Sequence, residues 1–157
     1  MNCIVIGTDH RMQGSEPGFD GLVRGLLRQQ FFEPVKAIAE EYADGLGQSV
    51  GQRVAQEMGL RWFNLDMTTD EKRTAGILEE QCDRREKSQE AGTIRVPSDD
   101  VREEAMANKV ATCEPGTVIV ICGYLHFESL VRRLRQKGFP VDKRVYLETI
   151  PEIKTSH

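Results

Sequence analysis

The sequence has few of the features that mark disulfide-rich, zinc-finger, membrane or nucleic-acid-binding proteins. Its four cysteines, Cys3, Cys82, Cys113 and Cys122, form no C-x-x-C pair. No run of 18 apolar residues exists, which argues against a transmembrane helix, and no secretory pattern opens the chain. With 21 basic and 25 acidic residues, the net charge of −4 argues against a basic face for nucleic acid. We therefore expect a reduced, cytoplasmic protein that binds neither membranes nor nucleic acids.

Motifs for nucleotide binding and for two common hydrolase mechanisms are missing as well. The glycines from Gly7 to Gly14 do not form G-x-G-x-x-G, and no G-x-x-x-x-G-K-[ST] occurs, so no nucleotide cofactor is expected. Neither H-E-x-x-H nor G-x-S-x-G occurs. Ser129 carries no sign of a nucleophile and is interpreted as a capping or solvent-exposed residue.

Apolar runs alternate with amphipathic segments along the chain. Five such runs read as strands: residues 2–6, 35–41, 61–66, 117–122 and 141–150. Between them, apolar residues recur at helical spacing, and one of these segments stops at Gly59, a typical helix terminator. The alternation predicts an α/β fold, a single three-layer domain over residues 1–150 with a mainly parallel central sheet flanked by helices. Residues 151–157 are interpreted as a tail.

The chain changes character between Asp70 and Glu104, where 18 of 35 residues are charged and few are large and apolar. Such a segment is not expected to anchor the core. We interpret it as a solvated helix with a mobile loop around Ser88 to Thr93, so that residues from about 79 to 98 form a charged and mobile segment. A lid over a functional site is the alternative.

Two segments share the pattern of an apolar strand, a glycine, two further residues and a histidine. The first ends in Gly7-Thr8-Asp9-His10 and the second in Gly123-Tyr124-Leu125-His126. In an open α/β sheet, ligands bind beyond the carboxyl ends of the strands, where both histidines fall. Glu40 and Glu41 end the second strand in the same way. Because neighbouring strand residues point to opposite faces, at most one of them should face the site, and we favour Glu40.

Two imidazoles and a carboxylate on one edge suit two kinds of chemistry. His10, Glu40 and His126 could hold a divalent metal with open coordination positions, or they could act as general acid and base. The structural alternative is that each histidine caps a helix or bonds to backbone. His157, the last residue, is not included in the predicted site.

Arg102 heads an otherwise apolar helical stripe formed with Met106, Val110 and Cys113. A guanidinium there must find a carboxylate or an anion, because an unpaired buried charge is costly. One interpretation is that it binds a substrate carboxylate or phosphate, or a developing oxyanion. The other is a structural ion pair with Glu40 or Glu41, or a side chain that extends to solvent.

The two G-x-x-H segments resemble the paired motifs of the Tiki/TraB proteins, which belong to a broader group with the erythromycin-esterase-like and ChaN-like proteins. Ala39-Glu40-Glu41 resembles the strand-terminal glutamate of that group. The segment from Arg102 to Ala107 is similar to its R-[DN]-x-x-M-A helix, with Glu103 in place of Asp or Asn. Lys137-Gly138-Phe139 resembles its L-x-x-x-G-[YF] finish.

The resemblance implies a compact α/β fold and a shared site. That site would be assembled from His10, Glu40 or Glu41, Arg102 and His126. Members of the group include metal-dependent peptidases, esterases and a haem-iron-binding lipoprotein.

The leading hypothesis is a small cytosolic hydrolase that acts on a small-molecule or peptide substrate. Either a bound divalent metal or a histidine general base would activate water, and Arg102 would stabilise the negative charge that develops. The first alternative is a non-catalytic protein that binds a metal, haem or a small ligand at the same edge. The second is a structural or regulatory module in which His10 and His126 tie loops together.

Overall fold

A computed structural model of the chain describes residues 2–29, 33–43, 46–91 and 93–156. The strands are β1 (Asn2–Thr8), β2 (Val35–Glu40), β3 (Arg61–Asn64), β4 (Ile94–Arg95), β5 (Thr117–Gly123), β6 (Val141–Val145) and β7 (Lys154–Thr155). The helices are α1 (His10–Ser15), α2 (Pro17–Arg28), α3 (Val50–Met58), α4 (Thr69–Thr74), α5 (Leu78–Ala91), α6 (Asp99–Ala111) and α7 (Tyr124–Gln136). The predicted α/β fold is confirmed.

Five parallel strands form the central sheet in the order β3-β2-β5-β1-β6. The two apolar runs with the clearest strand pattern, β1 and β5, lie side by side at its centre, with Ile4 opposite Ile119. Both are buried on each face, which explains why they read as continuous rather than alternating apolar sequence. The order places the carboxyl ends of β2, β5 and β1 next to one another.

Alternate residues of each strand enter two separate cores, one on each face of the sheet. On one face, Ile4, Ile38 and Ile119 pack against α1, α2 and α3. On the other face, Val5 and Val120 pack against α6 and α7. The molecule therefore has the predicted three layers, and two successive residues of one strand belong to different layers.

Several element bounds differ from the sequence prediction because the chain turns earlier at the sheet edge. The second strand ends at Glu40 rather than at residue 41, the third at Asn64 rather than at 66, and the last at Val145 rather than at 150. A short helix, α1, begins directly after the first strand and was not predicted. Its amino end is capped by Asp9, whose carboxylate accepts hydrogen bonds from two backbone N–H groups.

The charged segment is folded and held by polar contacts, among them Lys72 donating to Asp66 and Arg102 donating to Gln81. It forms α4 and α5, and α5 extends to Ala91, where the sequence predicted a loop from Ser88 to Thr93; Gly92 lies outside the described residues. Gln81 and Asp99 are buried, so polar contacts rather than apolar packing account for much of this attachment. Residues 154–155, within the segment interpreted as a tail, form β7 and pair with β4.

Two further findings concern the cysteines and the helices. All four cysteines are free, and Cys82 is the exposed one. Within the described ranges, no helix combines the length and apolar character needed to cross a membrane.

Candidate functional site

His10 is the first residue of α1, at the carboxyl end of β1, and its side chain is exposed. Asp9, the cap of this helix, accepts hydrogen bonds from the backbone N–H groups of Arg11 at 2.9 Å and Met12 at 3.1 Å. The order of strand, glycine and turn therefore places the imidazole at the carboxyl edge of the sheet. Its Nδ1 lies 2.8 Å from Oε1 of Gln13, one helical turn further on.

Gln13 connects His10 to the acidic end of β2. Its side chain is fully buried, and its amide nitrogen donates to Oε1 of Glu40 at 3.1 Å and to the backbone carbonyl of Glu41 at 2.9 Å. Gln13 lies outside the motifs recognised in the sequence. Its position three residues after His10, on the same face of a helix, is the signal that could have indicated it.

Glu40 is a buried carboxyl group surrounded by hydrogen-bond donors. Its Oε2 accepts from the Ser49 hydroxyl at 2.5 Å and from the Trp62 indole N–H at 2.8 Å, while Oε1 accepts from Gln13. Burial raises the pKa of Glu40, and the three hydrogen bonds and the neighbouring His10 offset part of that increase. Since all three partners donate, the arrangement suits the carboxylate form.

Glu41 turns to the opposite face of the sheet, where it meets a different set of partners. Its Oε1 accepts from the backbone N–H of Gly123 at 2.8 Å, and its Oε2 accepts from Arg102 at 2.9 Å. Nε2 of His126 lies 3.3 Å from the same Oε2. Burial alone would raise the pKa of Glu41, but the charges and hydrogen bonds of His126 and Arg102 hold it well below its usual range.

His126 is a buried imidazole held between two carboxylates. Its Nε2 faces Glu41, and its Nδ1 lies 2.8 Å from Oε1 of Glu103. Burial would lower the pKa of His126, but the two acidic partners raise it to about 9. Arg95 donates to both oxygens of Glu103, at 2.5 and 2.7 Å, and with His126 it lowers the Glu103 pKa to about 2 against the effect of burial. At neutral pH this histidine is therefore an imidazolium.

Arg102 is buried, and its donors are shared among side chains from three separate parts of the chain. The guanidinium donates to Asp66 at 3.0 Å, to Gln81 at 2.9 Å and to Glu41 at 2.9 Å. Of the interpretations given by the sequence, the structure shows the ion pair with a glutamate, and that glutamate is Glu41. Gln81, on α5, covers the guanidinium on the side of the charged segment.

The five predicted site residues thus fall into two groups at one edge of the sheet. His10 and Glu40 belong to the first group, and Glu41, Arg102 and His126 belong to the second. The groups meet at Gln13, which donates to one member of each. Among the described residues, no hydrogen bond or ion pair joins the two imidazoles.

The donor atoms of two of the three predicted metal ligands, Glu40 and His126, are committed to other partners. Both ring nitrogens of His126 face carboxylates, and both oxygens of Glu40 accept hydrogen bonds. Within the part of the chain that the structure describes, no group of three or more His, Cys, Asp or Glu side chains is placed to hold a metal ion. The arrangement of His10, Glu40 and His126 therefore does not fit a shared metal.

Several partners in these groups were not predicted from the sequence. Arg95, Gln81, Ser49 and Trp62 bond to site residues that lie 8 to 22 positions away in the chain, and no spacing rule connects them. Comparison of the chain with protein-family models, with curated proteins and with solved structures finds no match.

Proposed function

We propose that this protein is a hydrolase in which His10 is the general base that activates water at the carboxyl edge of the sheet. The observation that carries the proposal is the setting of His10, whose ring is exposed while its Nδ1 is bound to a fully buried glutamine. An exposed imidazole with one nitrogen fixed and the other directed to solvent has the arrangement that general-base catalysis needs.

The reaction would begin with Nε2 of His10 accepting a proton from water as the water oxygen attacks a substrate carbonyl. The C–O bond forms, and the tetrahedral intermediate then expels the leaving group, which takes the proton back from the imidazolium. The carboxylate of Glu40, behind Gln13, would stabilise the positive charge on His10 during this step. The resemblance to a group that contains esterases and peptidases supports ester or peptide substrates.

The second group of residues would have a structural role. His126 and Arg102 neutralise Glu41, and Glu41 in turn accepts from the backbone N–H of Gly123, where β5 passes into α7. Because these side chains are buried and bonded to one another, we assign them to positioning the edge of the sheet and not to contact with substrate. The mechanism then uses no metal.

The test is turnover of a panel of carboxylic esters and peptide amides by untagged protein in the presence of a chelator. His10→Ala should lower turnover by about 10²- to 10⁴-fold, the contribution typical of a general base, while circular dichroism stays unchanged. His157→Ala is a control of the same residue type and should keep full turnover. Turnover that survives His10→Ala, or a panel on which the protein has no activity, would contradict the proposal. Activity lost to the chelator would restore the metal hypothesis.

A further inference from the structure

We propose that Gln13 is a positioning residue that fixes the tautomer of His10, with the proton on Nδ1 and the lone pair on Nε2. This inference deepens the proposed function and rests on it, because it specifies which nitrogen of His10 is the base. It concerns a residue that acts through the imidazole and does not itself touch substrate.

The partners of Gln13 determine which way its amide group faces. The amide nitrogen lies 3.1 Å from a carboxylate oxygen of Glu40 and 2.9 Å from the carbonyl oxygen of Glu41. A carbonyl oxygen is only an acceptor, and Glu40 already accepts from Ser49 and Trp62. A flipped amide would set the Gln13 oxygen against two acceptors in a buried place, so the NH₂ group must face them.

The orientation of the amide then determines the state of the ring. With its nitrogen turned to Glu40 and Glu41, Gln13 presents Oε1 to His10 at 2.8 Å. An amide oxygen can only accept, so Nδ1 of the neutral imidazole must carry the hydrogen. The lone pair is left on Nε2, the nitrogen on the solvent side. A carboxylate in the place of Gln13 could take that proton, whereas an amide oxygen does not at neutral pH.

The amide is also held rigidly, because the Glu40 carboxylate to which it donates is itself bonded to Ser49 and Trp62. Glu40 ends β2, Ser49 caps the amino end of α3, and Trp62 lies on β3. Ser49 accepts from the backbone N–H of Gln52 at 2.9 Å, so its hydroxyl hydrogen is directed to Glu40. The ring of His10 is exposed, but its orientation is thereby determined from inside the molecule.

A buried glutamine could also serve only to satisfy Glu40, and the ring state separates the two roles. The test is ¹⁵N NMR of the histidine rings at a pH where His10 is neutral, with the His10 signals identified by their loss in His10→Ala. In the unaltered protein we expect a protonated Nδ1 and an unprotonated Nε2. Gln13→Leu should convert His10 largely to the Nε2–H tautomer, which neutral histidine side chains prefer in water, and should lower turnover.

A further variant controls the experiment. Gln81→Leu removes another buried glutamine, one that is bonded to Arg102, and should leave the His10 ring unchanged.

Each outcome decides the inference separately from the proposed function. An Nε2–H ring in the unaltered protein overturns it even if Gln13→Leu fails to fold, and so does an Nδ1–H ring that persists in folded Gln13→Leu. In either case, the proposed function would still be supported if His10→Ala loses turnover. Conversely, the tautomer could change in Gln13→Leu while turnover stays unchanged in His10→Ala. That result would overturn the proposed function alone.

Discussion

His126 lies between Glu41 and Glu103 with only 2% of its surface exposed. Each of the two carboxylates also receives a guanidinium, from Arg102 and Arg95 respectively. Removing the proton from His126 would leave two buried acids with less compensating charge, which is unfavourable in a medium of low polarity. Protonation of this ring and integrity of the network are therefore linked.

The free energy of unfolding should fall as the pH rises between about 6.5 and 9. The pKa of His126 is about 9 in the folded protein and 6.5 in the unfolded chain, so the folded state binds the extra proton in that window. The contribution is complete below pH 6.5 and is lost as the pH passes 9, at a cost of about 3 kcal/mol. Urea unfolding at a series of pH values measures it.

His126→Gln is the matched variant for this prediction, because its side chain does not titrate. The variant should be less stable at pH 6 but should show a shallower dependence on pH. A His126 ring that titrates near pH 6.5 in the folded protein, followed by NMR, would contradict the prediction.

At the residue scale, the sequence led to the side chains at the ends of the strands but not to their partners. His10, Glu40 and His126 follow apolar runs, and the parallel sheet places all three at one edge. Arg95 and Gln81 were not predicted, because their contacts with Glu103 and Arg102 follow neither helical nor strand spacing.

Close approach of β1 and α7 depends on the absence of a side chain at Gly7. A Cβ atom added there would come within 2.7 Å of the ring of Phe127, which is itself 1% exposed. Gly7 belongs to the first G-x-x-H segment, and it makes room for α7, the helix that begins within the second segment. The two segments are coupled through this contact.

Gly7→Ala should lower the free energy of unfolding by about 1–3 kcal/mol, since the aromatic ring cannot move aside in a packed core. Gly21→Ala is the control. Gly21 is an exposed position within α2, and nothing lies within 4 Å of an added Cβ, so alanine should stabilise the helix by about 0.5–1 kcal/mol. Chemical unfolding of both variants measures the two changes in the free energy of unfolding, which should be opposite in sign. Equal effects would show that the ring of Phe127 yields to the added methyl group.

At the element scale, apolar periodicity predicted the central strands and the helices that cover them. It did not predict α1, which has few apolar residues and depends on the Asp9 cap, or the extent of α5. The first turn of α5 is acidic, and further along the helix Gln81 bonds to Ser98 and Asp99. Contacts of this kind leave no apolar pattern in the sequence.

The two-stranded pair of β4 and β7 brings the last described residues of the chain to the side of the second group. The backbone N–H of Lys154 donates to Thr93, and that of Ser156 donates to Arg95, the residue that holds Glu103. Residues 154–156, within the segment interpreted as a tail, are therefore bonded to the rest of the folded chain.

Removal of residues 151–157 should leave the central sheet folded and lower the free energy of unfolding by about 1 kcal/mol, as expected for a few largely exposed hydrogen bonds. Lys154→Ala keeps the backbone pairing and should be neutral. The readout is urea unfolding together with the pKa of His126, which should increase as Arg95 loosens from Glu103 and leaves that carboxylate with less compensating charge. A truncated chain with unaltered stability and unaltered His126 titration would show that β7 has no influence on the network.

The adjacent carboxylates of Glu40 and Glu41 serve opposite layers of the molecule, although a single peptide bond separates them. A one-residue insertion ahead of β2 would move each of the two side chains to the opposite face of the sheet. Each carboxylate would then be separated from its present partners. The contacts on both faces of the sheet therefore depend on a single register of β2. Neither face can be redesigned or can diverge without regard to the other.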